Sequence, residues 1–188
     1  MKTAIILHGM PSIEGYFDPD REAESNSHWL PWVQRQLILK NVLAQAIELP
    51  TPYEPVYEDW KQTFEQFYID NNTVLIGHSC GAGFLVRWLS ESKVEVGKVI
   101  LVAPWLDPEE EVSSDFFNFD IAPNLVSKTD GIFIFVSNDD DRDTLDSVDI
   151  LENNLQNISV SRFKNKGHFT YGDMGTQEFP ELIDVIFE

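Results

Sequence analysis

Two patterns of hydrophobic and polar positions alternate along the chain. Short, nearly unbroken apolar runs are typical of strands covered on both faces, and apolar residues recurring every three or four positions are typical of helices. The predicted strands are Thr3–Leu7, Leu43–Leu49, Thr73–Ile76, Lys98–Ala103, Gly131–Ser137 and Ile158–Phe163. The predicted helices are His28–Leu39, Trp60–Tyr68, Ala82–Leu89, Thr144–Leu155 and Phe179–Phe187. This alternation predicts a three-layer α/β fold, with a mostly parallel sheet of about six strands and helices on both faces.

Two segments interrupt this alternation. Pro11–Ser27 is polar and is predicted to be a loop, and Trp105–Asp130 is longer, with a run of acids followed by aromatic residues. Long connections in compact domains are often lids or binding loops. The aromatic residues of the second segment are therefore candidates for a substrate pocket, with ordinary core packing as the alternative: Trp105, Phe116, Phe117 and Phe119.

Length, charge and cysteine content narrow the class of protein. The 188 residues suffice for a single domain spanning 1–188. The formal net charge of −19 repels phosphate backbones and anionic lipids, so nucleic acid and membrane surfaces are not expected partners. One cysteine fits a reducing compartment, and the apolar run Ala4–Leu7 is too short for a signal peptide. These features predict a cytoplasmic protein. They do not indicate whether it has a protein partner.

A serine between two glycines stands where the third predicted strand turns into a helix. The segment is Gly77-His78-Ser79-Cys80-Gly81. A nucleophile elbow needs such a tight, strained turn, which presents the serine hydroxyl above the sheet edge. The serine is the candidate nucleophile. Cys80 is the alternative, but its place at the helix start favours a role for its backbone rather than its thiol.

A serine nucleophile needs a base and an acid that orients the base, in the chain order serine, acid, histidine for this kind of elbow. His168 is the only histidine after Ser79 and follows the last predicted strand. The acid is expected at the end of the preceding strand, where the sequence offers four candidates: Asp139, Asp140, Asp141 and Asp143. The same run lacks the glycine and glutamate of a calcium-binding loop, so a calcium site is not expected here. The serine mechanism itself requires no metal or cofactor.

An oxyanion hole requires two backbone N–H groups. One is expected from Cys80, directly after the candidate nucleophile. The other is expected from the loop after the first strand, His8-Gly9-Met10-Pro11, and because proline has no N–H, Met10 is the predicted donor. His8 is interpreted as a structural support for this loop.

Several segments together resemble one family, the small α/β-hydrolases of the retinoblastoma-binding protein 9 and YdeN-like group. The segments span nearly the whole chain in the family's order: Ile5–Gly9, His28–Trp32, Gly77–Gly81, Ser137–Asp140, Gly167–Phe169 and Glu178–Leu182. The elbow is shared by many hydrolases, whereas the paired acids, the Gly-His-Phe loop and the Phe-Pro-Glu-Leu end make the match specific.

The resemblance implies a minimal α/β-hydrolase sheet without large cap domains and a serine-hydrolase triad. It assigns the triad acid to the second of the paired acids, Asp140. The family usually has proline at the next position, where this chain has Asp141, so Asp139 stays open as the alternative. The expected function is hydrolysis of a small ester, thioester or amide through an acyl-enzyme. The alternative is a non-catalytic binding or protein-interaction module on the same fold.

Overall fold

Six parallel strands form the centre of the molecule in the computed structural model, which describes residues 2–188. Every neighbouring pair is parallel, and the strand order is β2-β1-β3-β4-β5-β6. The strands are β1 (Thr3–Leu7), β2 (Leu43–Ile47), β3 (Thr73–His78), β4 (Val99–Val102), β5 (Ile132–Ser137) and β6 (Ser159–Phe163). All six predicted strands are thus confirmed.

Helices lie between the strands and after the last of them. They are α1 (Ile13–Tyr16), α2 (Leu30–Leu39), α3 (Tyr57–Phe64), α4 (Cys80–Glu91), α5 (Arg142–Asn154), α6 (Tyr171–Met174) and α7 (Pro180–Phe187). The five longer helices correspond to the five predicted ones. The one-turn helices α1 and α6 lie in segments where no helix is predicted, because four residues are too few to establish an apolar periodicity.

The prediction for α3 is wrong by about one turn. The predicted helix runs to Tyr68, but the observed helix ends at Phe64, and Tyr68 is 81% exposed. The buried stripe of α3 consists of Tyr57, Trp60 and Phe64, which recur at helical spacing one turn earlier. Tyr57 therefore supplies the apolar contact that the prediction assigned to Tyr68.

Two apolar cores lie on opposite faces of the sheet. Successive residues of β1 alternate between them: Ile5 and Leu7 pack in one core, and Ala4 and Ile6 in the other. Helices α3, α4 and α5 cover the first face, and α2 and α7 cover the second. Burial of each large apolar side chain contributes about 1.5–3 kcal/mol, so the strands are held from both sides.

The strand order determines where a site can form. The chain leaves β1 toward β2 on one side and returns to β3 on the other, so the loops after β1 and β3 diverge at the carboxyl edge of the sheet. In open α/β sheets such a reversal creates a crevice where ligands bind. Within residues 2–188, no helix has both the length and the apolar character needed to cross a membrane.

Candidate active site

Ser79 lies in a strained turn between β3 and α4. Its backbone angles are φ 53° and ψ −122°, a region that non-glycine residues rarely adopt. The turn is close-packed, since a Cβ on Gly77 would lie 2.6 Å from the Cα of Ala82 and a Cβ on Gly81 would collide with the carbonyl oxygen of His8. Only glycine fits at these two positions, which explains the Gly-x-Ser-x-Gly spacing.

His168 and Asp140 meet at the same edge of the sheet. The Asp140 Oδ1 atom lies 2.9 Å from the His168 Nδ1 atom, and the Asp140 side chain is fully buried. A carboxylate can only accept hydrogen bonds, so Nδ1 of His168 carries the proton. The Nε2 atom of the neutral ring is then the free base. The backbone N–H of Asp141 donates to the same Asp140 oxygen at 2.8 Å and holds the carboxylate in place.

Asp139 takes a different position. Its carboxylate accepts a hydrogen bond from the Ser137 hydroxyl, and this bond is the main cause of a lowered pKa for Asp139. The Ser137 hydroxyl also accepts from the N–H of Lys166 at 3.1 Å. Asp139 therefore joins β5 to the loop before His168, and the structure brings Asp140 rather than Asp139 to the imidazole.

Two further histidines are structural supports. His78 donates from Nε2 to the carbonyl oxygen of His168 at 2.8 Å, and burial lowers the pKa of His78 well below its usual value. His8 donates from Nδ1 to the Gly9 carbonyl and accepts the N–H of Leu49 at its Nε2. Burial also lowers the pKa of His8. Both rings are therefore neutral and tie the loops of the site to the sheet edge.

Met10 and Cys80, the predicted oxyanion donors, flank the nucleophile. The N–H groups of both residues lack a backbone acceptor within residues 2–188. Met10 borders the cavity around Ser79, and Cys80 is the first residue of α4, where helix N–H groups are free. The Cys80 thiol is buried, which raises its pKa well above the usual value and argues against a cysteine nucleophile.

Of the four candidate pocket aromatics, Trp105 is the one that reaches Ser79. A cavity of about 220 Å³, the Trp105 cavity, is lined by Met10, Ser79, Trp105, Thr144 and His168 and by three acidic residues, Glu111, Asp141 and Asp143. Phe116 instead packs fully buried against Trp60 and Phe117, in the aromatic core. Phe117 packs on the Trp105 ring at 5.2 Å, and Phe119 is part of the periphery of the same core. Phe117 thus supports the cavity wall from behind.

A model of the serine hydrolase family matches residues 16–188. The chain belongs to the serine hydrolase family. YdeN of Bacillus subtilis strain 168 is 34% identical over 95 residues, 48% of this chain and 47% of YdeN, so the matched stretch spans about half of that relative. The resemblance to YdeN-like serine hydrolases is thus confirmed.

Solved structures show that this serine hydrolase has the α/β-hydrolase fold. The crystal structure of the Bacillus subtilis YdeN gene product matches with a TM-score of 0.83 at 24% identity, covering 100% of this chain and 97% of that one. An esterase domain from a Rhodothermus marinus protein matches with a TM-score of 0.66 at 12% identity over 98% of this chain and 85% of that one. A bromoperoxidase from Bacillus anthracis also scores 0.66, at 13% identity over 99% and 91% of the two chains.

His28 is a site residue that the sequence analysis of this serine hydrolase missed. The predicted helix His28–Leu39 includes this residue, but α2 begins at Leu30, and His28 has a left-handed backbone (φ 58°). Its ring lines a second cavity beside Ser79, together with His168. Pro31 is the signal that could have found it, because proline favours the first turn of a helix and places His28 before it.

Proposed function

We propose that this chain hydrolyses small carboxylic esters, or the related thioesters and amides, through a Ser79–His168–Asp140 triad. The observation that carries the proposal is the 2.9 Å contact between Asp140 and His168 beside a strained serine that borders the same cavity as His168. A carboxylesterase-like specificity is part of this proposal, as are the acyl-enzyme and a cytoplasmic location.

The chemistry would proceed in two steps. In the first, the Ser79 hydroxyl oxygen attacks the carbonyl carbon while the His168 Nε2 atom takes its proton. The tetrahedral intermediate then collapses, and His168 returns that proton to the departing alcohol, thiol or amine. In the second step, water gives a proton to His168, its oxygen attacks the acyl-enzyme, and Ser79 leaves with the proton restored.

The protein supplies the electrostatic stabilisation of both steps. The backbone N–H groups of Met10 and Cys80 would donate to the oxyanion, and the amino end of α4 adds a partial positive charge. Asp140 would keep the proton of His168 on Nδ1 and stabilise the imidazolium that forms during attack. Removal of one oxyanion donor typically lowers kcat by about 10²–10³-fold in such sites.

A fluorophosphonate probe tests this proposal directly. Wild type, Ser79→Ala, His168→Ala and the matched control Ser90→Ala are labelled, and the adduct is located by mass spectrometry. Ser90 lies on the same helix, away from the cavity. We expect an adduct on Ser79 in wild type and in the control, and its loss in the two site variants.

The absence of an adduct on wild type, with circular dichroism showing a folded protein, would overturn the proposal. The non-catalytic binding module would then be the better description. If labelling succeeds, p-nitrophenyl esters of increasing acyl length measure the acyl preference, and the modest size of the Trp105 cavity favours short chains.

A further inference from the structure

Ser79 borders two cavities. One is the Trp105 cavity. The other, of about 200 Å³, is lined by His28, His78 and His168, and it shares Arg21, His28 and Thr170 with an outer cavity of about 620 Å³. We call the second and third cavities together the polar groove. The groove runs from Ser79 outward past His28, so one part of a substrate can extend along it while the scissile carbonyl stays at the serine.

His28 presents a hydrogen-bond donor in this groove. Its Nδ1 atom accepts the backbone N–H of Tyr171 at 3.2 Å, so in the neutral ring the proton is on Nε2. Burial is the main cause of a lowered pKa for His28, and the charges of Arg21 and His168 lower this pKa further. The lowered pKa favours the neutral ring. Within residues 2–188 the Nε2–H group has no hydrogen-bond partner in the protein. Because His28 is half-buried and lines the groove, a substrate oxygen there would be in a position to accept from this N–H group.

The outer part of the groove mixes donors and acceptors. Arg21 has no carboxylate within 4.0 Å among residues 2–188, and its neighbours Asp20 and Glu22 line the same cavity. Gln177 offers both an amide N–H and a carbonyl, and the Tyr171 ring forms part of the wall. The outer cavity has no aliphatic side chain in its lining, so it does not suit an alkyl chain.

Charged groups fit this lining poorly as well. The lining carries both signs of charge, with Arg21 between Asp20 and Glu22, so a carboxylate or an ammonium group would be attracted by one part of it and repelled by another. A hydroxyl group both donates and accepts, so several neighbouring hydroxyls can satisfy carboxylate, guanidinium and imidazole groups together. The chemistry of the lining therefore favours a neutral, hydroxyl-rich group.

We propose that the polar groove binds the polyol or sugar alcohol of an ester, with His28 as a specificity-determining residue that donates to a substrate oxygen. This inference rests on the proposed serine-hydrolase activity and specifies its substrate class. The acyl group occupies the smaller Trp105 cavity, where Glu111, Asp141 and Asp143 disfavour an anionic acyl chain, and it stays bound to Ser79 after the alcohol leaves. The larger groove extends outward and gives the bulky alcohol an exit before water enters.

Matched acetate esters test the assignment. The kcat/KM values of glucose monoacetate and of hexyl acetate are measured on wild type, His28→Phe, His28→Asn and Arg21→Met. Phenylalanine keeps a ring against His78 but removes the donor. Asparagine, which tolerates the left-handed backbone, serves if the first variant does not fold, because its shorter amide ends before the position of the His28 Nε2 atom. Arg35→Met, on the exposed side of α2, is the matched control for Arg21→Met.

We expect wild type to prefer the sugar ester, and the His28 variants to reduce the ratio of the two kcat/KM values about three- to tenfold, the range for one neutral hydrogen bond. Arg21→Met should reduce this ratio by about tenfold or more, because a guanidinium forms stronger, charge-assisted bonds. The control keeps the wild-type ratio. No preference in wild type, or an equal loss on both esters in the His28 variants, would overturn the inference. Fluorophosphonate labelling of wild-type Ser79 then shows which proposal has failed. If Ser79 is labelled, only the assignment of the polar groove is wrong. If Ser79 is not labelled, the proposed hydrolase activity is wrong too.

Discussion

The strained backbone of Ser79 makes a quantitative prediction about stability. Its angles, φ 53° and ψ −122°, lie in a region that is allowed for glycine but strained for a residue with a side chain. This strain lowers the stability of the folded protein by about 1–3 kcal/mol. Ser79→Ala retains this strain and Ser79→Gly removes it. Glycine loses more chain entropy on folding, which offsets roughly 0.5–1 kcal/mol. The difference between these two ranges is about 0–2.5 kcal/mol, and from their midpoints we expect Ser79→Gly to be more stable than Ser79→Ala by about 1 kcal/mol.

Urea unfolding followed by circular dichroism measures this difference, and a thermal scan should show a shift of about 2–4 °C per kcal/mol. The matched control is the same pair of substitutions at Asp149, an exposed position inside α5, where glycine should be less stable than alanine by about 1 kcal/mol. An alanine variant at position 79 as stable as the glycine variant would refute the strain argument. Both variants lack the nucleophile, so this measurement is independent of activity.

Three further outcomes follow from the contacts of the site and of the aromatic core beside it. Asp140→Asn should lower kcat by about 10⁴-fold, as expected when the imidazole loses its tautomer, whereas Asp139→Asn should have a far smaller effect on ester hydrolysis. Burial lowers the pKa of His78, so its contribution to stability is present above about pH 6.5 and is lost as the pH falls. Wild type should lose about 1.4 kcal/mol more than His78→Gln between pH 7.5 and 5.5 in urea unfolding. Arg87 donates to the Phe116 carbonyl at 3.0 Å, so Arg87→Met should lower the free energy of unfolding by about 1–3 kcal/mol.

The sheet was predictable because parallel strands buried on both faces read as short apolar runs. The ends of the helices were less predictable. Residues 65–68 continue the aromatic pattern of α3, yet the helix ends at Phe64 because Tyr57, Trp60 and Phe64 already complete the buried stripe. Local periodicity alone does not show which of two overlapping apolar stripes of a helix will pack against the sheet.

The candidate nucleophile and base were predictable because each residue type has one suitable position after a strand. The pocket was not. Trp105 and Phe116 lie in one aromatic segment, but only Trp105 borders the cavity, because Arg87 holds the Phe116 backbone and the ring fills the core between Trp60 and Phe84. The position of His28 in the site was not predictable for the same reason, since its place beside Ser79 depends on contacts with residues far away in the chain.

The choice between Asp139 and Asp140 shows how a departure from a family pattern can leave the geometry intact. The family resemblance leads us to expect proline where this chain has Asp141, and proline requires a φ near −65°. Asp141 has φ −60° and ψ 152°, so an ordinary residue adopts the same backbone at the start of α5. Its N–H then donates to Asp140, a bond that proline cannot form. The substitution therefore keeps the turn that directs Asp140 toward His168 and adds a contact that fixes the carboxylate.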